Sequence, residues 1–181
     1  FYVFLITHII FFIKIQNKKD ILLIVISSSI FFFIGLMDDK KNFGYLIKFF
    51  FFILVSFFTI YYSDYLVLNQ LYFETFNKSL YLNGLSNYII TLLCILLLIN
   101  ATNLSDGING LCIGIIIIWF SYTAIKFNTY LLSTPLITVM VLTLYYNFKG
   151  NFFLGNSGSH LLGCFIGLLI IYNYNFQPLH N

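Results

Sequence analysis

Charge is what this chain has least of: nine lysines, no arginine and six acidic residues among 181, of which Glu74 is the lone glutamate. Only 8% of residues are charged and 60% are hydrophobic, with a mean hydropathy of +0.93. Soluble domains carry charge on roughly a quarter of their residues, so a water-soluble core cannot absorb this composition. The net charge of +3 is spread over short polar stretches with no cluster of Lys or Arg on one face, which sets nucleic acid aside as a partner. The absence of Arg beside abundant Phe, Ile, Tyr and Asn has the look of an AT-rich coding sequence, so aromatic stripes carry little functional weight. Cysteine is scarce too: Cys94, Cys112 and Cys164 lie in or beside apolar runs, without CxxC spacing or a nearby His at ligand spacing. They read as small buried hydrophobes rather than a disulfide or zinc framework. His8, His160 and His180 are scattered and default to packing, although His160 adjoins a polar motif. The chain opens on Phe1 without a signal-peptide pattern and stops after an apolar run, and is read as a piece of a longer protein.

Apolar runs are what is there. A bilayer core of about 30 Å takes roughly 20 helical residues, and candidate spans fall near 1–13, 21–37, 45–62, 88–104, 111–125, 131–146 and 160–174. The runs are continuously apolar rather than alternating with period two, which excludes spanning strands. The expectation is an all-α, polytopic transmembrane helix bundle of six or seven helices, a single integral membrane domain over 1–181. Because successive spans alternate direction, the connections 38–44, 105–110 and 147–159 share one face, and 14–20, 63–87 and 126–130 share the other. Lysines are divided between both faces and give no orientation. The longest connection, 63–87, mixes apolar and polar residues as an interfacial hairpin or short amphipathic helix would. It includes the triplet Asn77-Lys78-Ser79, a chance sequon in an Asn-rich chain.

Three polar motifs fall on one face. In GLMDDK, Asp38 and Asp39 directly follow an apolar run, and a carboxylate beside a membrane span is costly unless it meets water, a cation or a partner. The pair could cap the next helix. It could equally hold Mg²⁺, which is commonly bound by one or two carboxylates plus substrate phosphates, or accept a proton. In NATNLSDGINGL, Asn100, Asn103 and Asp106 recur every third residue along a drifting helix face, and the glycines that follow permit a tight, backbone-exposed turn. In NFFLGNSGSHLLG, Gly155, Gly158 and Ser159 precede an apolar helix and can offer backbone N–H groups to an anion, with capping by Ser157 or Ser159 as the simpler alternative.

In this order and at these separations, GLMDDK, NATNLSDGINGL and FFLGNSGSHLLG resemble the polyprenyl-phosphate N-acetylhexosamine-1-phosphate transferases. That family, glycosyltransferase family 4, includes the phospho-MurNAc-pentapeptide translocase type and the lipid-carrier GlcNAc-1-phosphate transferases. The resemblance covers essentially the whole chain. It implies a multi-pass protein of the bacterial inner (cytoplasmic) membrane, about ten or eleven helices in all, with its motifs facing the cytoplasm. It also implies a Mg²⁺-dependent reaction, with Mn²⁺ as a substitute: a polyprenyl (undecaprenyl) phosphate attacks the β-phosphate of a UDP-sugar, UMP leaves, and synthesis of a cell-envelope glycan begins. Homodimer formation is a family trait. Carried over by motif, Asp38, Asp39 and Asp106 are the catalytic candidates, and one of the adjacent pair is the candidate base. Asp39, Asp106 and Asn156 are the metal candidates. Asn100, Asn103, Asn109, Phe153, Gly155, Ser159 and Lys48 are the substrate-binding candidates, with Phe153 at an aromatic position associated with uracil.

Two departures qualify the resemblance. Asn109 stands where many members read DGxDG, a variant associated with O-antigen-like glycans. Asn156 stands where the family usually has the aspartate of GDxGS, offering a neutral carbonyl oxygen in place of a charged metal ligand. A catalytically impaired member is therefore one alternative. A transporter or channel is another, and it predicts acids near helix centres instead of helix ends.

Overall fold

The computed structural model describes residues 18–127 and 130–176. The apolar run at 1–13, with His8, and the tail with His180 lie outside the described residues. Within them are six α-helices and one hairpin: α1 (Lys18–Lys41), α2 (Tyr45–Tyr61), β1 (Gln70–Phe73), β2 (Lys78–Tyr81), α3 (Leu85–Ser105), α4 (Leu111–Lys126), α5 (Tyr130–Phe148) and α6 (Gly155–Phe176). By length and composition, Lys19–Lys41, Leu85–Ser105 and Gly155–Asn175 can each cross a bilayer, and α2 and α4 are shorter apolar helices. The fold is an all-α membrane helix bundle.

Helix α6 is its axis. From Ser159 to Asn173 every residue except Ile170 is buried, as expected of a helix that is apolar around its circumference. Helices α1 and α3 flank it, and α4, paired with α5, closes a third side. Ile24, Phe31, Ile95, Ile99, Ile113, Ile116, Leu162 and Phe165 form the shared core. Outside it, Phe49, Phe50, Phe57 and Phe58 of α2 are exposed, a surface suited to hydrocarbon rather than water.

Two glycines set how closely the flanking helices approach α6. A Cβ on Gly35 of α1 would lie 2.4 Å from the Asn156 carbonyl oxygen, and one on Gly163 of α6 would lie 3.0 Å from the Ile99 Cα. Small residues at helix crossings permit this backbone contact, which replaces the hydrophobic drive that lipid does not supply.

Within the described residues the connections 38–44, 105–110 and 147–159 lie at one end of the bundle and 63–87 at the other, as expected. At the latter end the Ser63 hydroxyl donates to the Asp20 carboxylate, the Tyr72 N–H to the Tyr174 hydroxyl (3.0 Å), and the Asn175 amide to the Tyr65 and Val67 carbonyls (2.8 Å each). The start of α1, the end of α6 and the hairpin therefore share that end. The end of α1, the end of α3 and the start of α6 meet at the other. The connection 63–87 does contain a hairpin, with Gln70 opposite Tyr81 and Phe73 opposite Lys78, turned by a short 3₁₀ segment and by Asn77 in a left-handed conformation. Two boundaries differ from expectation. Helix α1 runs on through Asp38 and Asp39 to Lys41, and α6 begins at Gly155, so the motifs expected in loops are helix ends.

Candidate functional site

Adjacent residues on a helix point about 100° apart, and this splits the aspartate pair. Asp38 turns inward and is buried, whereas Asp39 is exposed. The Asp38 carboxylate is fully engaged. One oxygen accepts the Phe43 backbone N–H at 2.9 Å, and the other accepts Lys48 Nζ at 2.8 Å and Asn156 Nδ2 at 2.7 Å. It thereby ties the α1–α2 turn, α2 and α6 to the end of α1. Lys48, expected to meet substrate, is held in this ion pair.

Asp39 caps a helix, but across the bundle instead of next in sequence. Its two oxygens accept the backbone N–H groups of Asn156 at 3.0 Å and Ser157 at 3.1 Å, in the first turn of α6. A carboxylate on an N-terminal turn is favoured both by the orphan donors and by the helix dipole. The anion that these N–H groups meet is thus the protein's own. Gly155, with φ +65°, opens the turn, and a Cβ there would sit 3.1 Å from the Asp39 carboxylate. Neither Ser157 nor Ser159 supplies the cap through its side chain. The Ser159 hydroxyl is buried and bonded to Asn103 Oδ1 at 2.9 Å and to the Gly155 carbonyl at 2.8 Å.

Asp106 closes α3 as its C-cap residue, half-buried. Burial raises its pKa from the ordinary carboxylate value, and the negative charge of Asp39 adds to the rise, against a lowering by the Gly155 and Leu154 backbone N–H groups. Asp39 and Asp106 are therefore two carboxylates repelling each other beside the start of α6. The turn after Asp106 is secured by the buried Asn147, whose side-chain oxygen accepts the Gly110 N–H and whose amide donates to the Phe152 carbonyl at 2.7 Å.

Asp38, Asp39, Asp106, Asn103, Asn156, Gly155, Ser159 and Lys48 thus meet at one end of the bundle. Asn100 is not drawn in: it is exposed and donates to the Leu96 carbonyl of its own helix at 2.9 Å. Three residues advance a helix by about 300°, so each step drifts about 60°, and Asn100 and Asp106 face different ways. Asn109 lies exposed in the 107–110 turn and Phe153 is exposed just before α6, both at the same end. Among the described residues no three Asp, Glu, His or Cys side chains converge tightly enough to enclose a metal unaided. His160, buried edge-on against Phe52 with ring centroids 4.8 Å apart, packs beneath the site. Gly35, Asn147 and Thr102, whose hydroxyl lies 3.2 Å from the Ser159 carbonyl oxygen, escaped the sequence reading. Asn147 alone left a signal, as a polar residue closing an apolar run on the right face.

The geometry defines a class: a multi-helix membrane protein with a carboxylate-rich site at the ends of its spans. Two comparisons narrow it. The sequence profile of glycosyl transferase family 4 matches residues 21–174. Over 75 residues, 40% of this chain, the sequence is 41% identical to the phospho-N-acetylmuramoyl-pentapeptide-transferase of Petrotoga mobilis, and the match spans 24% of that relative's length. The chain belongs to glycosyl transferase family 4.

Proposed function

We propose that the protein of which this chain is part transfers a sugar-1-phosphate, N-acetylhexosamine-1-phosphate in the first instance, from a UDP-sugar to a polyprenyl phosphate and releases UMP. The observation that carries this reading is the meeting of Asp38, Asp39 and Asp106 from two helix ends at the start of a third, within a chain of this family. All three acids sit at helix ends, as a site at the membrane face requires and a transport path through helix centres does not.

In the reaction an oxygen of the lipid phosphate attacks the β-phosphorus, the bond to the α-phosphate bridging oxygen breaks, and UMP departs with that oxygen. Such transfers depend on positioning and charge neutralisation. Asp39 and Asp106 fit a cation, because among the described residues neither is held in an ion pair as Asp38 is, and the charge of Asp39 adds to the raised pKa of Asp106. Asp38 fits less well, being already paired with Lys48. Mg²⁺, or Mn²⁺ in its place, would be held by Asp39 and Asp106 and would offset the negative charge of the phosphates. Asp38 is buried and paired with Lys48, so of the adjacent pair Asp39 is the one that a lipid phosphate can reach. Phe153 and Asn109 border the site where a nucleobase and sugar would lie.

The test is to incubate the full-length protein in detergent with undecaprenyl phosphate, Mg²⁺ and individual UDP-sugars, and to measure UMP. Lipid-dependent UMP release with one donor is expected. No release with any donor, from a protein shown to be folded, would overturn the reading.

A further inference from the structure

Among the described residues Asn156 alone hydrogen-bonds both members of the aspartate pair, and it does so with donors only. Its backbone N–H lies 3.0 Å from Asp39 Oδ1 and its side-chain Nδ2 lies 2.7 Å from Asp38 Oδ2. An ionised carboxylate accepts and cannot donate, so the amide must present nitrogen, not oxygen, to Asp38. The same Asp38 oxygen takes Lys48, and its companion takes the Phe43 N–H, so that acid is balanced in charge and satisfied in hydrogen bonds. A carboxylate at position 156 would remove a donor and bring two acids together beside one lysine, an arrangement held only by a shared proton or a cation.

We infer that Asn156 is a positioning residue, an uncharged strut that locks α6 to α1 through Asp38, and that it is not a ligand of the cation expected at Asp39 and Asp106. The part of the inference that concerns the cation rests on the proposed function, and the strut itself does not. The strut keeps the junction of α1 and α6 in register without a metal, and the cation requirement falls on two carboxylates alone.

Three forms of the full-length protein in detergent separate these roles: wild type, Asn156→Ala and Asn156→Asp. Each is melted in EDTA and in Mg²⁺, and each is titrated with Mn²⁺ by electron paramagnetic resonance. The strut predicts that Asn156→Ala melts below wild type in EDTA, while its Mn²⁺ dissociation constant stays within about twofold of wild type. It predicts that Asn156→Asp also melts lower in EDTA, recovers with Mg²⁺ by more than wild type does, and binds Mn²⁺ about tenfold tighter through the added carboxylate. The opposite pattern, an unchanged melt in EDTA with Mn²⁺ affinity lost by about tenfold in Asn156→Ala, would make the amide oxygen a ligand and overturn the inference. If Asn156→Asp does not fold, Asn156→Ala decides alone. Absence of Mn²⁺ binding in all three removes the cation from the proposed function, and the melts in EDTA still decide whether the strut exists.

Discussion

Adjacent aspartates in this chain do different work because a helix turns them apart. Asp38 is buried against Lys48, and removing its charge leaves a part-buried lysine unpaired, so Asp38→Asn should cost on the order of 2 kcal/mol. Asp39 is exposed and caps α6, and Asp39→Asn should cost at most about 1 kcal/mol, since Asn can also cap. Denaturation of the full-length protein in mixed micelles would measure both, and equal losses would contradict the division of roles. Asp106 makes the reverse prediction. Its folded-state pKa is raised, so the folded protein holds that proton more tightly than the unfolded chain. The stability this supplies is present in acid and lost as pH rises through the raised value. Asp106→Asn, neutral at every pH, should therefore melt no lower than wild type at neutral pH, and higher when no cation is present, with the advantage fading in acid. UMP release should meanwhile fall by about 10²–10³-fold, the usual loss when a charge-stabilising group is removed.

The element that assembles the site is α6, and its approach to α1 depends on Gly35. Backbone atoms of Asn156 and Ser157 occupy the space that a Cβ would need, and backbone cannot rotate away. Gly35→Ala should force the helices apart, cost about 1–3 kcal/mol, and reduce UMP release with every acid intact, because the Asp38 and Asp39 contacts to α6 stretch together. Gly114→Ala, at a helical position with nothing within 4 Å, is the matched control and should leave the melting temperature at or slightly above wild type. A loss confined to Gly35→Ala in paired melting and activity measurements would place the effect at the helix crossing.

For the whole molecule, the two ends of the bundle should lie on opposite sides of a membrane. With Cys94, Cys112 and Cys164 replaced, single cysteines at Lys40, Asn109 and Lys149 mark the carboxylate end, and single cysteines at Lys78 and Asn83 mark the hairpin end. Exposed to a membrane-impermeant maleimide, intact cells should label only the hairpin positions, and lysed cells should label all five. Labelling of both sets in intact cells would refute a cytoplasmic site.

Within the described residues, composition and run length settled the membrane class, the approximate spans and the end at which the three motifs lie, because a bilayer leaves so few ways to satisfy a backbone that hydropathy and parity are enough. The convergence of the three motifs was legible for the same reason: Asp38, Asp106 and Gly155 follow odd and even spans to one end. What parity cannot show is rotation about each helix axis and the depth at which helices cross. Those depend on contacts such as Gly35 against Asn156 and Gly163 against Ile99, which no local pattern encodes. Only the tertiary structure therefore separated Asp38 from Asp39, turned Asn100 away, occupied the N-terminus of α6 with the protein's own carboxylate and gave Asn156 a partner.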